Sequence, residues 1–167
     1  MYLYFLSSPI SDALKEHPYF TLQNDEDTRY VIELDAMVDN DPAIPAYEAI
    51  DASGSLTGSK FIVMNNIPVT DDGREAFEAR FMNRARKVED EPGFAGIRVL
   101  RPLNSDTYVI LTAWDSKASF EAWQQSQAFA HAHQKRDSQE GLKAQAPSIF
   151  ARPRLLRRTR WNNLMKD

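Results

Sequence analysis

The chain predicts an α+β protein whose larger part is a ferredoxin-like β-α-β-β-α-β unit. Two observations carry this prediction. Strand-like and helix-like patterns follow the order of that unit after residue 59. A Gly/Ser-rich stretch at residues 51–59 separates them from a less patterned first part. We therefore expect an N-terminal α+β half over residues 1–58, packed against a larger domain over residues 59–167.

The first half contains short strand candidates that alternate with polar segments. They are residues 2–6, 20–23, 30–34 and 46–50. Ser11 and Asp12 could cap a short helix that ends near Pro18. This half therefore looks like a shortened, partial copy of the ferredoxin-like unit, and it is too small for a secure core of its own.

The second half opens with a strand and a helix. Residues 60–67 form an apolar run that Pro68 ends. Thr70 is a candidate N-cap for an amphipathic helix over residues 73–89. The apolar residues that recur near helical spacing are Phe77, Phe81 and Val88.

A hairpin, a second helix and a last strand complete the unit. Residues 94–103 and 107–114 predict the hairpin. Ser116 is a candidate N-cap for the second helix, which we expect to continue to Gln134. Residues 149–161 are expected to be extended.

The composition excludes several kinds of site. The chain has no cysteine, so disulfides, thiolate nucleophiles and iron–sulfur clusters are excluded. A metal ligand would have to come from carboxylates, Tyr, Met or the histidines His17, His131 and His133. No apolar run could span a bilayer and the N-terminus lacks a signal-peptide pattern, so we expect a cytoplasmic protein with no membrane association.

The formal net charge of −4 conceals an uneven distribution. Residues 1–58 carry eleven Asp and Glu against two Lys and Arg, whereas the remainder carries thirteen against eighteen. Either the two halves have differently solvated surfaces, or their complementary charges meet where they pack. The acidic total argues against nucleic-acid binding.

The stretch EAWQQSQAFAHAHQ, residues 121–134, carries two of the three histidines. On a continuous helix His131 and His133 would point about 200° apart, so the pair cannot chelate one ion. His133 would share a face with Trp123 and lie beside Phe129, whereas His131 would face solvent. The small residues between Trp123 and His133 predict a trough that suits a flat ligand; the alternative is a structural histidine under side chains that fill the trough.

Four stretches, KFIVMNN, EPGFAGIRVLRP, SDTYVILTAWDS and FEAWQQSQAFAHAH, are similar to a known family. They resemble the antibiotic-biosynthesis-monooxygenase superfamily and, within it, the heme-degrading monooxygenases of the IsdG/IsdI type. The likeness extends to SIFARP near the C-terminus. A bacillary branch of these enzymes also carries an extra N-terminal half. The resemblance implies that the ferredoxin-like domain is of the dimeric α/β-barrel type.

The resemblance also implies a set of site residues. In the family an Asn on the first strand, a Trp on the last helix and a His ten residues later form the catalytic set. The patterns K-F-x-x-x-N and W-x9-H imply Asn65, Trp123 and His133, with Asn66 as the second choice for the amide. His133 would ligate heme iron, Asn65 would hydrogen-bond dioxygen on the opposite side, Trp123 would distort the porphyrin, and Phe129 would complete the heme-binding set.

Heme would then be both substrate and cofactor, and the implied reaction opens the porphyrin oxidatively and releases iron. Electrons would come from an external reductant, because the chain shows no dinucleotide fingerprint. We therefore expect an electron-donating reductase as a partner.

Two other functions stay open on the sequence. A cofactor-free monooxygenase of the same superfamily, acting on an aromatic or quinol substrate, would not need His133. A non-catalytic heme carrier would need His133 but neither Asn65 nor Trp123. The oligomeric state is also open: small family members are homodimers, and residues 1–58 could replace the second subunit, so the chain is either a monomer acting as a pseudo-dimer or a homodimer.

Overall fold

The computed structural model describes residues 1–7, 14, 16–38, 41–83, 87–126 and 157–163. Within these residues eight strands form one closed antiparallel barrel. The strands are β1 (Tyr2–Leu6), β2 (Phe20–Gln23), β3 (Thr28–Leu34), β4 (Ala46–Gly54), β5 (Phe61–Pro68), β6 (Phe94–Pro102), β7 (Thr107–Trp114) and β8 (Arg157–Asn163). Helix α1 (Arg74–Met82) follows β5 and helix α2 (Lys117–Gln124) follows β7. The second half is thus the predicted ferredoxin-like unit.

The strand order shows that the barrel consists of two equivalent sheets. Around the barrel the order is β1-β3-β2-β8-β5-β7-β6-β4, and β4 pairs with β1 to close it. Each half therefore has its strands in the order fourth, first, third, second, which is the ferredoxin-like order. The second strand of each half pairs with the fourth strand of the other, as β2 with β8 and β6 with β4.

The register of the strands obeys the same two-fold relation. When the first half is aligned with the second so that Tyr2 corresponds to Phe61, residues that pair between two strands of the first half correspond to residues that pair between the equivalent strands of the second. The matching pairs are Tyr2–Glu48 with Phe61–Asn162 inside the halves, and Arg101–Glu48 with Gln23–Asn162 at the two junctions. The first half is thus a shortened copy of the second in its sheet as well as in its strand order.

Alternation along the strands divides the apolar residues between the barrel interior and its outer surface. The interior core draws on both halves and includes Leu3, Phe5, Leu22, Val31, Ile62, Met64, Leu100, Val109 and Leu111. On the outer surface, α1 packs Phe77 against Tyr108 with ring centroids 4.6 Å apart. Helix α2 packs Phe120 against Trp114 with ring centroids 5.7 Å apart.

Among the described residues, two ion pairs join the acidic first half to the second half. The buried guanidinium of Arg98 donates from Nε to Glu33 Oε2 at 2.9 Å, and it also donates to the carbonyls of Ser53 and Gly54. Arg101 Nη1 lies 2.9 Å from Glu48 Oε1. At these positions complementary charges meet where the halves pack, as one of the two sequence interpretations expected.

The prediction of a continuous second helix to Gln134 is wrong. Helix α2 ends at Gln124, because Ser126 turns its own backbone and side chain back onto the carbonyl of Trp123. The Ser126 N–H donates to that carbonyl at 3.0 Å and its hydroxyl donates at 2.6 Å. Serine competes in this way with helical hydrogen bonding. The trough expected between Trp123 and His133 on one helix face therefore loses its geometric basis.

Helix α1 is also shorter than predicted. It ends at Met82, where the Asn83 side-chain amide donates to the Ala79 carbonyl at 3.0 Å and so takes an acceptor of the last turn. Thr70 is confirmed as an N-cap, of the 3₁₀ turn Asp71–Gly73 that precedes α1. Most of the short helix predicted around Ser11 and Asp12 lies outside the described residues. No helix in the described part of the chain is long and apolar enough to cross a membrane.

Candidate active site

The outer face of β5 carries one of the predicted site residues. Phe61 and Val63 pack in the aromatic cluster beneath α2, whereas Ile62 and Met64 belong to the barrel interior. Because side chains alternate along a strand, Asn65 shares the outer face with Phe61 and Val63. Asn65 lies two residues beyond Val63, about 7 Å along the strand. It is half-buried.

Asn66, the second choice for the amide, belongs to the opposite face. It follows the alternation of Ile62 and Met64 into the barrel interior, and its side-chain amide donates to the Met64 carbonyl at 3.5 Å. Of the two asparagines, only Asn65 is therefore on the face that α2 covers.

The N-terminus of α2 fixes the helix over that face. Ser116 is the N-cap, and its hydroxyl accepts from the Ser119 N–H at 3.1 Å. Gly93, in the turn before β6, has a φ of 82° and lies so close to Ser119 and Asp115 that a Cβ would meet their side chains at 2.2 and 2.4 Å. The lack of a side chain at Gly93 therefore lets the turn approach the start of α2.

Trp123 lies in an aromatic cluster between α2 and the outer face of β5 and β7. Its ring centroid is 5.6 Å from that of Trp114, with 30° between the planes, and 6.0 Å from that of Phe120. Trp114 and Phe120 are buried, whereas Trp123 is half-buried at the border of the cluster. The structure thus brings Asn65 and Trp123 to one face of the sheet, through the intervening Phe61 and Val63.

His133 and Phe129, the other two predicted site residues, lie outside the described residues. Because α2 ends at Gln124, the assignment of His133 rather than His131 now depends on the family spacing alone.

A polar network that the sequence did not predict joins α1 to the same outer surface. Glu78 accepts from Arg101 Nε at 3.0 Å and from the buried hydroxyl of Tyr108. The hydrogen bond from Arg101 lowers the pKa of Glu78. Burial, followed by the hydrogen bond to Glu78, raises the pKa of Tyr108 to about 12. The guanidinium of Arg74 lies 5.4 Å from the Tyr108 ring centroid and donates to the Pro102 carbonyl at 2.8 Å.

The two-fold relation shows that this face exists once in the described barrel. With Tyr2 placed on Phe61, Leu6 takes the position of Asn65 and Leu34 takes the position of Trp114. Both leucines pack in an apolar cluster with Tyr4, Leu14 and Ile32. The outer face of the first half therefore presents apolar side chains where the second half presents an amide and an indole.

The fold and this face define a class of protein: a barrel of two ferredoxin-like sheets with an amide and an aromatic cluster on the helix-covered side of one sheet. The model of the antibiotic biosynthesis monooxygenase family matches residues 60–135. A heme-degrading monooxygenase of Bacillus cereus is 40% identical over 78 residues, covering 44% of this chain and 72% of that protein. The mycobilin-producing heme oxygenase of Mycobacterium tuberculosis is 37% identical over 70 residues, covering 41% of this chain and 67% of that protein.

The chain belongs to the antibiotic biosynthesis monooxygenase family of enzymes. Solved structures agree in fold. A heme-degrading enzyme from Listeria monocytogenes matches 97% of this chain and 99% of that chain with a TM-score of 0.61 at 14% identity. A major regulator of staphylococcal pathogenesis matches 77% of this chain and 83% of that chain with a TM-score of 0.66 at 23% identity. The first of these matches covers both halves of the barrel.

Proposed function

We propose that this protein is a heme-degrading monooxygenase, which opens the porphyrin ring with dioxygen and external electrons and releases iron. The observation that carries the proposal is the joint presence of Asn65 and Trp123 on one sheet face, in a chain 37–40% identical to relatives named as heme-degrading enzymes. Heme is the substrate and also supplies the iron that activates dioxygen.

The described residues of the face fit a flat, mostly apolar substrate. Val63 and Ile110 flank Asn65 on β5 and β7, and the indole of Trp123 lies at the border of the aromatic cluster. Val63 and Ile110 are almost fully buried, so the half-buried indole offers the apolar contact to a macrocycle, and the half-buried amide of Asn65 offers one hydrogen-bond donor that does not titrate.

Each predicted residue has a role in the proposal. Asn65 donates its amide N–H toward the position that dioxygen takes, which orients the oxidant toward the porphyrin edge. Trp123 presses a rigid indole against the macrocycle and distorts it. His133 supplies a neutral imidazole nitrogen as the iron ligand, with Phe129 beside it.

The first half, residues 1–58, replaces the second subunit of the smaller relatives. The closed barrel and the repeated 4-1-3-2 strand order support this proposal, since both junctions between the sheets are made within one chain. One chain then carries one heme site, because Leu6 stands where the second site would have its amide. The cytoplasmic location and the electron-donating reductase stay predictions.

The test is a heme titration of the purified protein, followed by ascorbate under air. We expect a Soret band that saturates at one heme per chain and decays when ascorbate is added. The His133→Ala variant should lose most heme binding, whereas the matched control His131→Ala should retain it, since only His133 has the family spacing from Trp123.

Other outcomes would contradict the proposal in distinct ways. A wild type that binds no heme would leave the cofactor-free monooxygenase, and a band that never decays would leave the heme carrier. Equal loss in both histidine variants, or loss in His131→Ala alone, would contradict the assignment of His133. Repeated turnover without added reductant would contradict the need for an electron donor.

A further inference from the structure

We propose that Thr112 and Trp114 are positioning residues that set the plane of the Trp123 indole. The inference rests on the proposed function, because it makes the distortion of the porphyrin by Trp123 depend on two residues outside the predicted set of substrate contacts. Neither residue needs to contact heme.

Trp114 is the central member of the aromatic cluster. It is 0% exposed, and the rings of Phe94 and Phe120 pack against its indole in addition to that of Trp123. Phe94 packs edge-on at 5.8 Å and 88°, and Phe120 packs at 5.7 Å and 66°. Phe61 packs against Phe120 at 5.9 Å on the same outer face. Such enclosure leaves a buried indole few alternative rotamers.

Thr112 selects one of the remaining orientations. The Trp114 Nε1–H donates to the Thr112 hydroxyl at 3.1 Å, and both side chains lie on the outer face because they are two residues apart in β7. A buried indole N–H without an acceptor loses its hydrogen bond to water and gains none in return. The hydroxyl therefore disfavours an indole that is flipped about its χ2 axis.

Trp114 contacts Trp123 directly, so the orientation of the Trp114 indole constrains that of the Trp123 indole. Their rings are 5.6 Å apart and only 30° from parallel, so the face of one indole supports the face of the other. Phe120 contacts both rings, at 5.7 Å from Trp114 and 6.0 Å from Trp123. A rotation of Trp114 would thus remove the surface that keeps Trp123 in its plane.

Thr112 also links this support to the rest of the face. It lies directly opposite Val63 in the β5–β7 register, and Asn65 is the next outward-facing residue of β5. Asn65 and Thr112 therefore belong to neighbouring outward-facing residue pairs of the β5–β7 ladder. A shift of the indole plane would change the distance between the two predicted contacts to the substrate.

The experiment compares Thr112→Val and Trp114→Phe with two controls. Thr112→Ser keeps the acceptor, and Thr107→Val makes the same change on β7 where the hydroxyl bonds Asp106 and not an indole. Near- and far-UV circular dichroism of the protein without heme reports the coupling of two closely stacked indoles. In the heme complex, the ferric–cyanide proton NMR spectrum reports porphyrin distortion, and the product analysis reports which meso position is attacked.

We expect Thr112→Val to weaken the indole dichroism, to reduce the porphyrin distortion, and to lower the rate of ring opening about fivefold at nearly unchanged heme affinity, since one hydrogen bond is lost. Thr112→Ser should restore all three. Trp114→Phe should give the larger change of the same kind, whereas Thr107→Val should change none of them.

The inference is overturned if Thr112→Val and Trp114→Phe leave the dichroism, the distortion and the product ratio as in wild type. It is also overturned if Thr112→Ser fails to restore them, since the hydroxyl would then not be the cause. A wild type that binds no heme would overturn the proposed function together with the porphyrin part of this inference. Altered dichroism would still support Thr112 and Trp114 as determinants of the Trp123 orientation.

Discussion

Asn65 and Asn66 are adjacent in the chain, yet their side chains leave β5 on opposite faces of the sheet. Asn65 shares its face with Val63 and the cluster that holds Trp123, whereas Asn66 bonds the Met64 carbonyl on the interior side. A strand turns each successive side chain by about 180°, so a shift of one residue separates the proposed substrate contact from a core contact.

The two asparagines therefore predict opposite phenotypes. Asn65→Ala should lower the rate of heme ring opening by about tenfold to a hundredfold, because a preorganised donor is lost, while heme binding persists. Asn66→Ala should leave that rate within about twofold. Single-turnover decay of the Soret band after addition of ascorbate measures both. Similar losses in the two variants would contradict the assignment of Asn65.

The elements on the outer surface are attached in two different ways. Helix α2 is held by aromatic packing through Phe120 and Trp123, whereas α1 combines the contact of Phe77 with the ion pair between Glu78 and Arg101. We therefore expect the attachment of α1 to depend on pH and that of α2 not to.

The pH dependence of the α1 attachment can be tested at Glu78. Its pKa is lowered from an ordinary value of 4.5, chiefly by the hydrogen bond from Arg101, so the stabilisation is complete above pH 4.5 and is lost as the pH falls below it. Glu78→Gln should lower the free energy of unfolding at pH 7 by about 1–2 kcal/mol and flatten the acid limb of the stability curve.

Glu75→Gln is the matched control, because Glu75 is exposed on the same helix. Urea unfolding of both variants from pH 7 to pH 3 measures the difference. A Glu78→Gln variant that keeps the full acid dependence of wild type, or a Glu75→Gln variant that loses it, would contradict the role of Glu78.

At the scale of the whole molecule, the barrel closes because the two sheets pair with each other at both edges, through two equivalent strand pairs. The pairs β2–β8 and β6–β4 leave no open sheet edge among the described strands. At one junction the sheets are also joined by side chains, since Arg98 of β6 reaches Glu33 of β3 and the β4 carbonyls. The guanidinium is 3% exposed and the carboxylate is 24% exposed, so this pair is largely shielded from solvent.

The shielded pair should contribute more to stability than the exposed one. Glu33→Ala leaves the Arg98 charge buried with carbonyl partners only, and we expect a loss of about 2–3 kcal/mol in the free energy of unfolding. Glu48→Ala breaks the exposed pair with Arg101 and should cost less than about 1 kcal/mol. Urea unfolding compares them, and the double variant Glu33→Ala/Arg98→Leu should recover part of the loss. Equal costs for the two single variants would contradict the ranking.

Much of the fold is readable from local patterns. The predicted strands at residues 2–6 and 20–23 coincide with β1 and β2, and the predicted hairpin is β6–β7, with β7 as predicted and β6 ending one residue earlier. The caps Thr70 and Ser116 were also predicted correctly. The alternation of side chains along a strand, which is a local rule, puts Asn65 and Asn66 on opposite faces, and the structure agrees. These features depend on residues close in sequence, so a single chain contains the information.

Other features of the fold and the site could not be predicted, mainly because they depend on contacts between residues far apart in the chain. The end of α2 at Gln124 was also not predicted, although the hydrogen bonds of Ser126 beyond it are local, because a serine can bond the backbone or continue a helix at similar free energy. The Glu78 network joins α1 to Arg101 of β6 and Tyr108 of β7, which are far from Glu78 in the chain and meet it only when α1 packs on the sheet. The sequence by itself determined the elements, their caps and the face of Asn65, whereas packing decided the closure of the barrel and the support of Trp123, because side chains far apart in the chain meet only once the sheets have paired.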